Sequence, residues 1–222
     1  MKNIVKQLLA LAFITLASSA LYAQQAAFYN DIQSFKKKDE ALFPAKHAIL
    51  FVGSSSFTKW TDVQGYFPGY PIINRGFGGS TLPDVIRYAD DVIFPYQPKQ
   101  IVIYCGENDL ASSDTVTAQM VVDRFKTLFG MIRKKLGKVP VLFVSLKPSP
   151  SRSRLLPKMI AANTAIKSFL LKNKKTAFAD VYSVMLDKDG EPMKDIFLGD
   201  NLHMNAKGYA IWKKVIEPYL VK

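Results

Sequence analysis

Five short runs of the chain are apolar almost without interruption, at 48–52, 71–73, 100–104, 139–144 and, more weakly, 176–181. None of them alternates apolar with polar residues. Strands that read this way are buried on both faces, which confines them to a mostly parallel sheet covered by helices above and below. The segments between the runs supply those helices. Val121, Phe125, Leu128, Ile132 and Leu136 fall at steps of four and three, while Asp123, Lys126, Arg133 and Lys134 occupy other faces. One apolar stripe results, ended by Gly137. Further helices are expected at 83–92, 156–172 and 205–220, with an amphipathic lead-in at 27–38. The alternation predicts an α/β fold: a three-layer α/β/α sandwich around a central, mostly parallel five-stranded sheet.

Residues 1–23 stand apart from this pattern. Lys2 and Lys6 precede an apolar stretch from 8 to 16, and small residues follow up to Ala20 and Ala23. The layout is that of a secretory signal peptide, its apolar part short of the about 20 residues a membrane span needs. Cleavage near Ala23 would start the mature chain near Gln24, with no cysteine there to carry a lipid. The expected product is periplasmic or secreted, without stable membrane insertion. Residues 24–222 suit one α/β domain and are too few for two ordinary ones. Cys105 is the single cysteine, so an intrachain disulfide is impossible and packing must hold the fold.

The formal net charge of +12 favours anionic partners at long range but says nothing about chemistry. Its lysines come in groups such as Lys36-Lys37-Lys38 and Lys213-Lys214, where helices are expected to face water. An exported chain without a recognisable binding motif is not expected to bind nucleic acid. Two histidines and one cysteine give no ligand cluster, so neither a metal nor another cofactor is expected.

The same scarcity of histidine narrows the search for a proton carrier at neutral pH. His47 sits among Pro44, Ala45 and Lys46 without an acid nearby, whereas His203 follows Asp200 by three residues. A carboxylate at that spacing can hold the ring Nδ1–H and set the tautomer. Three further segments fall at predicted strand ends. The first strand breaks into Gly53-Ser54-Ser55-Ser56, where a serine gains exposure and amides aimed at a developing anion. The second ends in Gly76-Phe77-Gly78-Gly79, where backbone can approach a ligand closely. The third ends in Gly106-Glu107-Asn108-Asp109, where an asparagine can present its amide to the same edge. Each segment alone reads equally well as a turn. Together they supply what acyl transfer requires: a nucleophile, an oriented base and donors for an oxyanion.

Other serine-enzyme patterns fit poorly. Gly53-Ser54-Ser55-Ser56-Phe57 lacks the second glycine of the α/β-hydrolase elbow. Ser56-Phe57-Thr58-Lys59 matches a Ser-x-x-Lys motif, but no Lys-Thr-Gly follows. The glycines after the second strand fail as a dinucleotide fingerprint, because Thr81 stands where the last glycine belongs.

The four ordered blocks resemble those of the SGNH hydrolases, also called the GDSL esterase/lipase family, over essentially the whole of residues 24–222. The resemblance is strongest to the branch of platelet-activating-factor acetylhydrolase subunits and bacterial carbohydrate esterases. It implies a flavodoxin-like SGNH fold and a serine esterase, with Ser55 as nucleophile and Asp200 and His203 as acid and base. The oxyanion donors it implies are the amides of Ser55 and Gly79 and the side chain of Asn108. Where the family reads Gly-Asp-Ser, this chain reads Gly53-Ser54-Ser55. Without a long insertion to form a lid, the expected substrates are short acyl esters, acetyl first, on a carbohydrate. Trp60 and Phe77 are candidates to stack on a sugar, and Lys147 and Arg152 to meet an anionic group. The alternatives are a lysophospholipase or thioesterase of the same fold, or a catalytically silent glycan-binding relative.

Overall fold

In the computed structural model, which describes residues 26–222, the five apolar runs form one parallel sheet in the order β2-β1-β3-β4-β5. Its strands are β1 Ile49–Gly53, β2 Ile72–Gly76, β3 Gln100–Tyr104, β4 Val141–Val144 and β5 Thr176–Ala179. The helices are α1 Tyr29–Ala41, α2 Ser55–Thr58, α3 Val63–Tyr66, α4 Leu82–Arg87, α5 Ala89–Val92, α6 Glu107–Ser112, α7 Ala118–Leu136, α8 Leu156–Leu171 and α9 Ala206–Ile216. The segment expected to be a signal peptide lies outside the described residues. No helix among them is long and apolar enough to cross a membrane.

Successive strand residues point to opposite faces, so each strand feeds two cores. Leu50, Val52, Ile101, Ile103, Val141 and Phe143 pack with α1, α4, α5, α7 and α8. Ile49, Phe51, Val102, Tyr104, Leu142 and Val144 pack with α2, α3 and α9 on the other side. This is the expected three-layer sandwich, and its double-sided burial explains the unbroken apolar runs. Each buried aliphatic or aromatic side chain contributes about 1.5–3 kcal/mol, which lets a fold with one buried, unpaired cysteine stand on packing.

Boundaries differ from expectation where side chains or backbone override the apolar pattern. β2 continues past 73 through Asn74, Arg75 and Gly76, because the polar residues find partners inside the fold. Asn74 Nδ2 donates to the Phe57 carbonyl at 2.7 Å, and Arg75 Nε to the Tyr96 hydroxyl at 2.6 Å. Arg75 also pairs with Asp39, which ties α1 to the sheet. β4 starts after Pro140, which has no N–H for the ladder. The helix expected at 83–92 breaks at Tyr88 into α4 and α5, and α9 stops at Ile216 before a 3₁₀ turn containing Pro218.

Two features of β1 set the position of the site. In the register, Gly53 lies opposite Gly76 of β2 and Tyr104 of β3, so the carboxyl ends of three strands finish level. The strand order also reverses between β1 and its neighbours, the place where open α/β sheets bind ligands. Gly53 itself takes φ 143°, and a Cβ there would lie 1.9 Å from the Tyr104 carbonyl oxygen. Gly53→Ala is therefore expected to lower stability by at least about 3 kcal/mol in urea denaturation, or to prevent folding. Gly130→Ala, in the exposed interior of α7 with nothing within 4 Å of the added carbon, should instead raise it by roughly 0.5–1 kcal/mol.

Candidate active site

The chain leaves β1 through Gly53 and turns at once into α2, whose first residue is Ser55. The flanking serines are inward, each 2% exposed, and the Tyr209 hydroxyl from α9 donates to the Ser56 carbonyl at 2.9 Å. Ser55 alone of the three has its Oγ 3.1 Å from Nε2 of His203.

His203 is held by the turn that precedes α9. Its Nδ1 lies 2.6 Å from Asp200 Oδ2, while Asp200 Oδ1 accepts the backbone N–H groups of Leu202 and His203 at 3.0 and 2.9 Å. Asn201 sits between them at φ 52°, a left-handed conformation that asparagine tolerates. Hydrogen bonds from the His203 ring and its backbone N–H hold the Asp200 carboxyl well below the usual carboxylate range. A ring that donates Nδ1–H to this carboxylate leaves Nε2 to accept the Ser55 proton. Asn205 closes the turn, its side chain accepting the first amides of α9, Lys207 N at 2.9 Å and Gly208 N at 3.3 Å.

The glycine loop after β2 comes up against the nucleophile: a carbon added to Gly78 would touch the Ser55 Cβ at 4.0 Å. Gly79 adopts φ 87°, and neither its N–H nor that of Ser55 donates to another group among the described residues. Asn108 reaches the same loop from α6, its Nδ2 donating to the Ser80 carbonyl at 3.0 Å. An Asn side chain has two N–H donors, so the second is left for a ligand. The five residues that the sequence singles out for catalysis thus converge on one edge of the sheet. The arrangement can deprotonate a serine and offer donors to the oxygen of an attacked carbonyl.

The sugar contacts expected of Trp60 and Phe77 and the anion contact expected of Lys147 require correction. Trp60 and Phe77 are both 0% exposed. Trp60 is enclosed by Phe51, Tyr66, Phe67, Tyr209 and Trp212, and Phe77 packs on Phe28 and Tyr88, so neither has a free face for a sugar. Hydrophobic burial outweighs any surface role for both. Lys147 is 1% exposed and committed to Glu107, with Nζ 3.2 and 3.0 Å from the two carboxylate oxygens. Burial pushes the Lys147 ammonium down from its ordinary value against the pull of Glu107. Burial would likewise raise the Glu107 carboxyl, but Lys147, Arg152 and the Tyr104 hydroxyl together hold it below its ordinary value. Arg152 does reach the site, yet its guanidinium is engaged with Glu107 Oε1 at 2.9 Å and Asn108 Oδ1 at 2.8 Å.

Two supporting residues escape the sequence pattern. Ser80, fully buried, donates from Oγ to the Gly53 carbonyl at 3.1 Å and accepts from Asn108, so it links the first and third blocks through the second. Glu107 carries the ion pairs beneath Asn108. A glutamate beside a strand-end asparagine is the only signal for it, and nothing marks Ser80.

The model of the GDSL-like lipase/acylhydrolase family matches residues 52–211, from the end of β1 into α9. The chain belongs to this family. It is accordingly a serine hydrolase acting on ester bonds. No curated protein matches the sequence. Among solved structures, the GDSL acylhydrolase is similar to one described as a platelet activating factor from Streptococcus pneumonia, with TM-score 0.75 and 20% identity, over 96% of this chain and 99% of that one. A GDSL-like lipase from Bacteroides thetaiotaomicron has TM-score 0.73 and 19% identity, over 84% and 95%. An acetylxylan esterase from Geobacillus stearothermophilus has TM-score 0.62 and 12% identity, over 79% and 94%. At these identities the likeness establishes the fold.

Replacing Asp200 by asparagine would keep an oxygen for the two backbone amides but turn an N–H toward His203 Nδ1, forcing the wrong tautomer. The GDSL acylhydrolase should then lose roughly 10²- to 10⁴-fold in kcat on p-nitrophenyl acetate, with little change in its melting temperature.

Proposed function

We propose that this acylhydrolase is exported and removes short acyl groups, acetyl first, from hydroxyls of carbohydrates, through an acyl-enzyme on Ser55. The observation that carries the chemistry is the unbroken line from Asp200 Oδ2 through the His203 ring to Ser55 Oγ, at 2.6 and 3.1 Å. Ser55 Oγ attacks the ester carbonyl as its proton passes to His203 Nε2, and Asp200 steadies the imidazolium that forms. The carbonyl oxygen takes up negative charge facing the Ser55 and Gly79 amides and the free Asn108 N–H. His203 then hands the proton to the leaving alkoxide, the C–O bond breaks, and the alcohol departs. Water enters, gives a proton to His203 and attacks the acyl-serine. Collapse of that intermediate returns the proton to Ser55 and releases the carboxylic acid.

The carbohydrate part of the reading rests on the surface beside the site. An open groove of about 530 Å³ runs past Asp200 and Asn201, lined by Pro150, Ser151, Ser153, Glu191 and Lys194. Polar side chains of this kind match hydroxyls better than an alkyl chain. The acetylxylan esterase among the structural neighbours acts on a substrate of that class. Export rests on Lys2, Lys6 and the apolar stretch behind them.

Purified protein should hydrolyse p-nitrophenyl acetate with a kcat/KM at least about tenfold above that for the octanoate, since added methylenes gain little beside an open groove lined by polar side chains. It should also release acetate from acetylated xylan. Ser55→Ala and His203→Ala should abolish both activities. A preference for octanoate would overturn the short-chain reading, and full activity in Ser55→Ala would overturn the nucleophile. Sequencing of the N-terminus of protein recovered outside the cytoplasm should begin near Gln24.

A further inference from the structure

A charged chain lies beneath the oxyanion site and ends on Asn108. Lys147 and Glu107, 1% and 3% exposed, form its base, and the Tyr104 hydroxyl donates to the same carboxylate. Glu107 Oε1 holds Arg152 Nη1 at 2.9 Å, and Arg152 Nη2 donates to Asn108 Oδ1 at 2.8 Å. Burying two such charges is costly unless a geometry is gained from it, and the geometry here is that of a single amide.

The side chain of Asn108 can face its neighbours in two ways related by a flip. In the observed one, Oδ1 meets the guanidinium and Nδ2 meets the Ser80 carbonyl. In the other, donors would face donors and an acceptor would face an acceptor. Arg152 and Ser80 thus select the same orientation, leaving one N–H of Asn108 unspent. A cation on Oδ1 also polarises the amide, so the remaining N–H becomes a stronger donor where negative charge develops. The same short segment bonds to the acid-base turn, since Ser151 N donates to the Asn201 carbonyl at 3.1 Å.

We infer that Arg152, anchored by the buried Glu107–Lys147 pair, is a positioning residue that orients and polarises Asn108 as an oxyanion donor, and does not bind substrate itself. The inference rests on the acyl-enzyme reading of the site. Its effect belongs to the transition state, because the ground-state carbonyl carries little charge for the amide to meet.

The test is a double-mutant cycle on p-nitrophenyl acetate with wild type, Arg152→Ala, Asn108→Ala and the double variant, all checked by circular dichroism and melting temperature. Arg152→Ala should lower kcat about 10- to 100-fold with KM within about twofold, a smaller loss than that of Asn108→Ala. In the Asn108→Ala background the same substitution should change kcat by less than about twofold. Arg152→Lys, which keeps a charge but cannot span both partners, should recover part of the loss. If Arg152→Ala fails to fold, the Lys variant and its double with Asn108→Ala carry the same comparison. Equal losses in both backgrounds, or an effect confined to KM, would overturn the inference while leaving the esterase intact. A wild-type protein inactive on every ester would overturn the acyl-enzyme reading and this inference with it.

Discussion

The site depends on the register of three strands. Parallel pairing sets Gly53 opposite Gly76 and Tyr104, and each following turn begins at the same height above the sheet. A slip of one residue would turn the strand faces over and move one block about 3.3 Å from the others. Hydrogen bonds at this edge operate within a few tenths of an ångström. The register is in turn protected by burial on both faces, since a slipped strand would exchange the residues meant for one core with those meant for the other. The apolar runs that make the sheet therefore also hold the chemistry in line.

On that edge the protein uses two kinds of polar construction. The turn from Asp200 to His203 is at the surface and built from local bonds: Asp200, Asn201, Leu202 and His203 satisfy one another over four residues, and the Asp200 side chain is 46% exposed. The Asn108 side is more deeply buried and assembled from distant parts, with Ser80, Asn108, Lys147 and Arg152 drawn from the segments that follow β2, β3 and β4. A local turn needs little support to keep its shape. A side-chain amide on a short helix needs partners on both of its ends, and the fold commits a buried ion pair to that purpose. Ser80 joins the halves, because its hydroxyl binds the end of β1 and its carbonyl binds Asn108.

Legibility followed the length scale of the interactions. The strand runs and the stripe on α7 were plain, because burial of a repeating element imprints a period on the chain. Asp200 and His203 were legible for a related reason, being close in sequence as well as in space. The extension of β2 through Asn74 and Arg75 was hidden, since residues that look like loop material are buried there by partners up to 36 positions away. Trp60 and Phe77 misled in the opposite sense. An aromatic next to a catalytic turn has the composition of a sugar platform, and only the packing of Phe51, Tyr209, Trp212, Phe28 and Tyr88 shows that no face is left.

The sequence by itself determined the class of fold, the order of its elements and the kind of chemistry, because apolar period and the supply of serine, histidine and asparagine are properties of the chain. The tertiary structure decided which of three serines faces the imidazole, which amides remain unspent, and that Lys147 and Arg152 turn inward to Glu107 and Asn108 instead of outward. Those outcomes rest on contacts 40 and more residues apart, such as Lys147 to Glu107 and His203 to Ser55. Directional bonds of this kind leave no period in the sequence, and they exist only once the sheet has brought its loops to one edge.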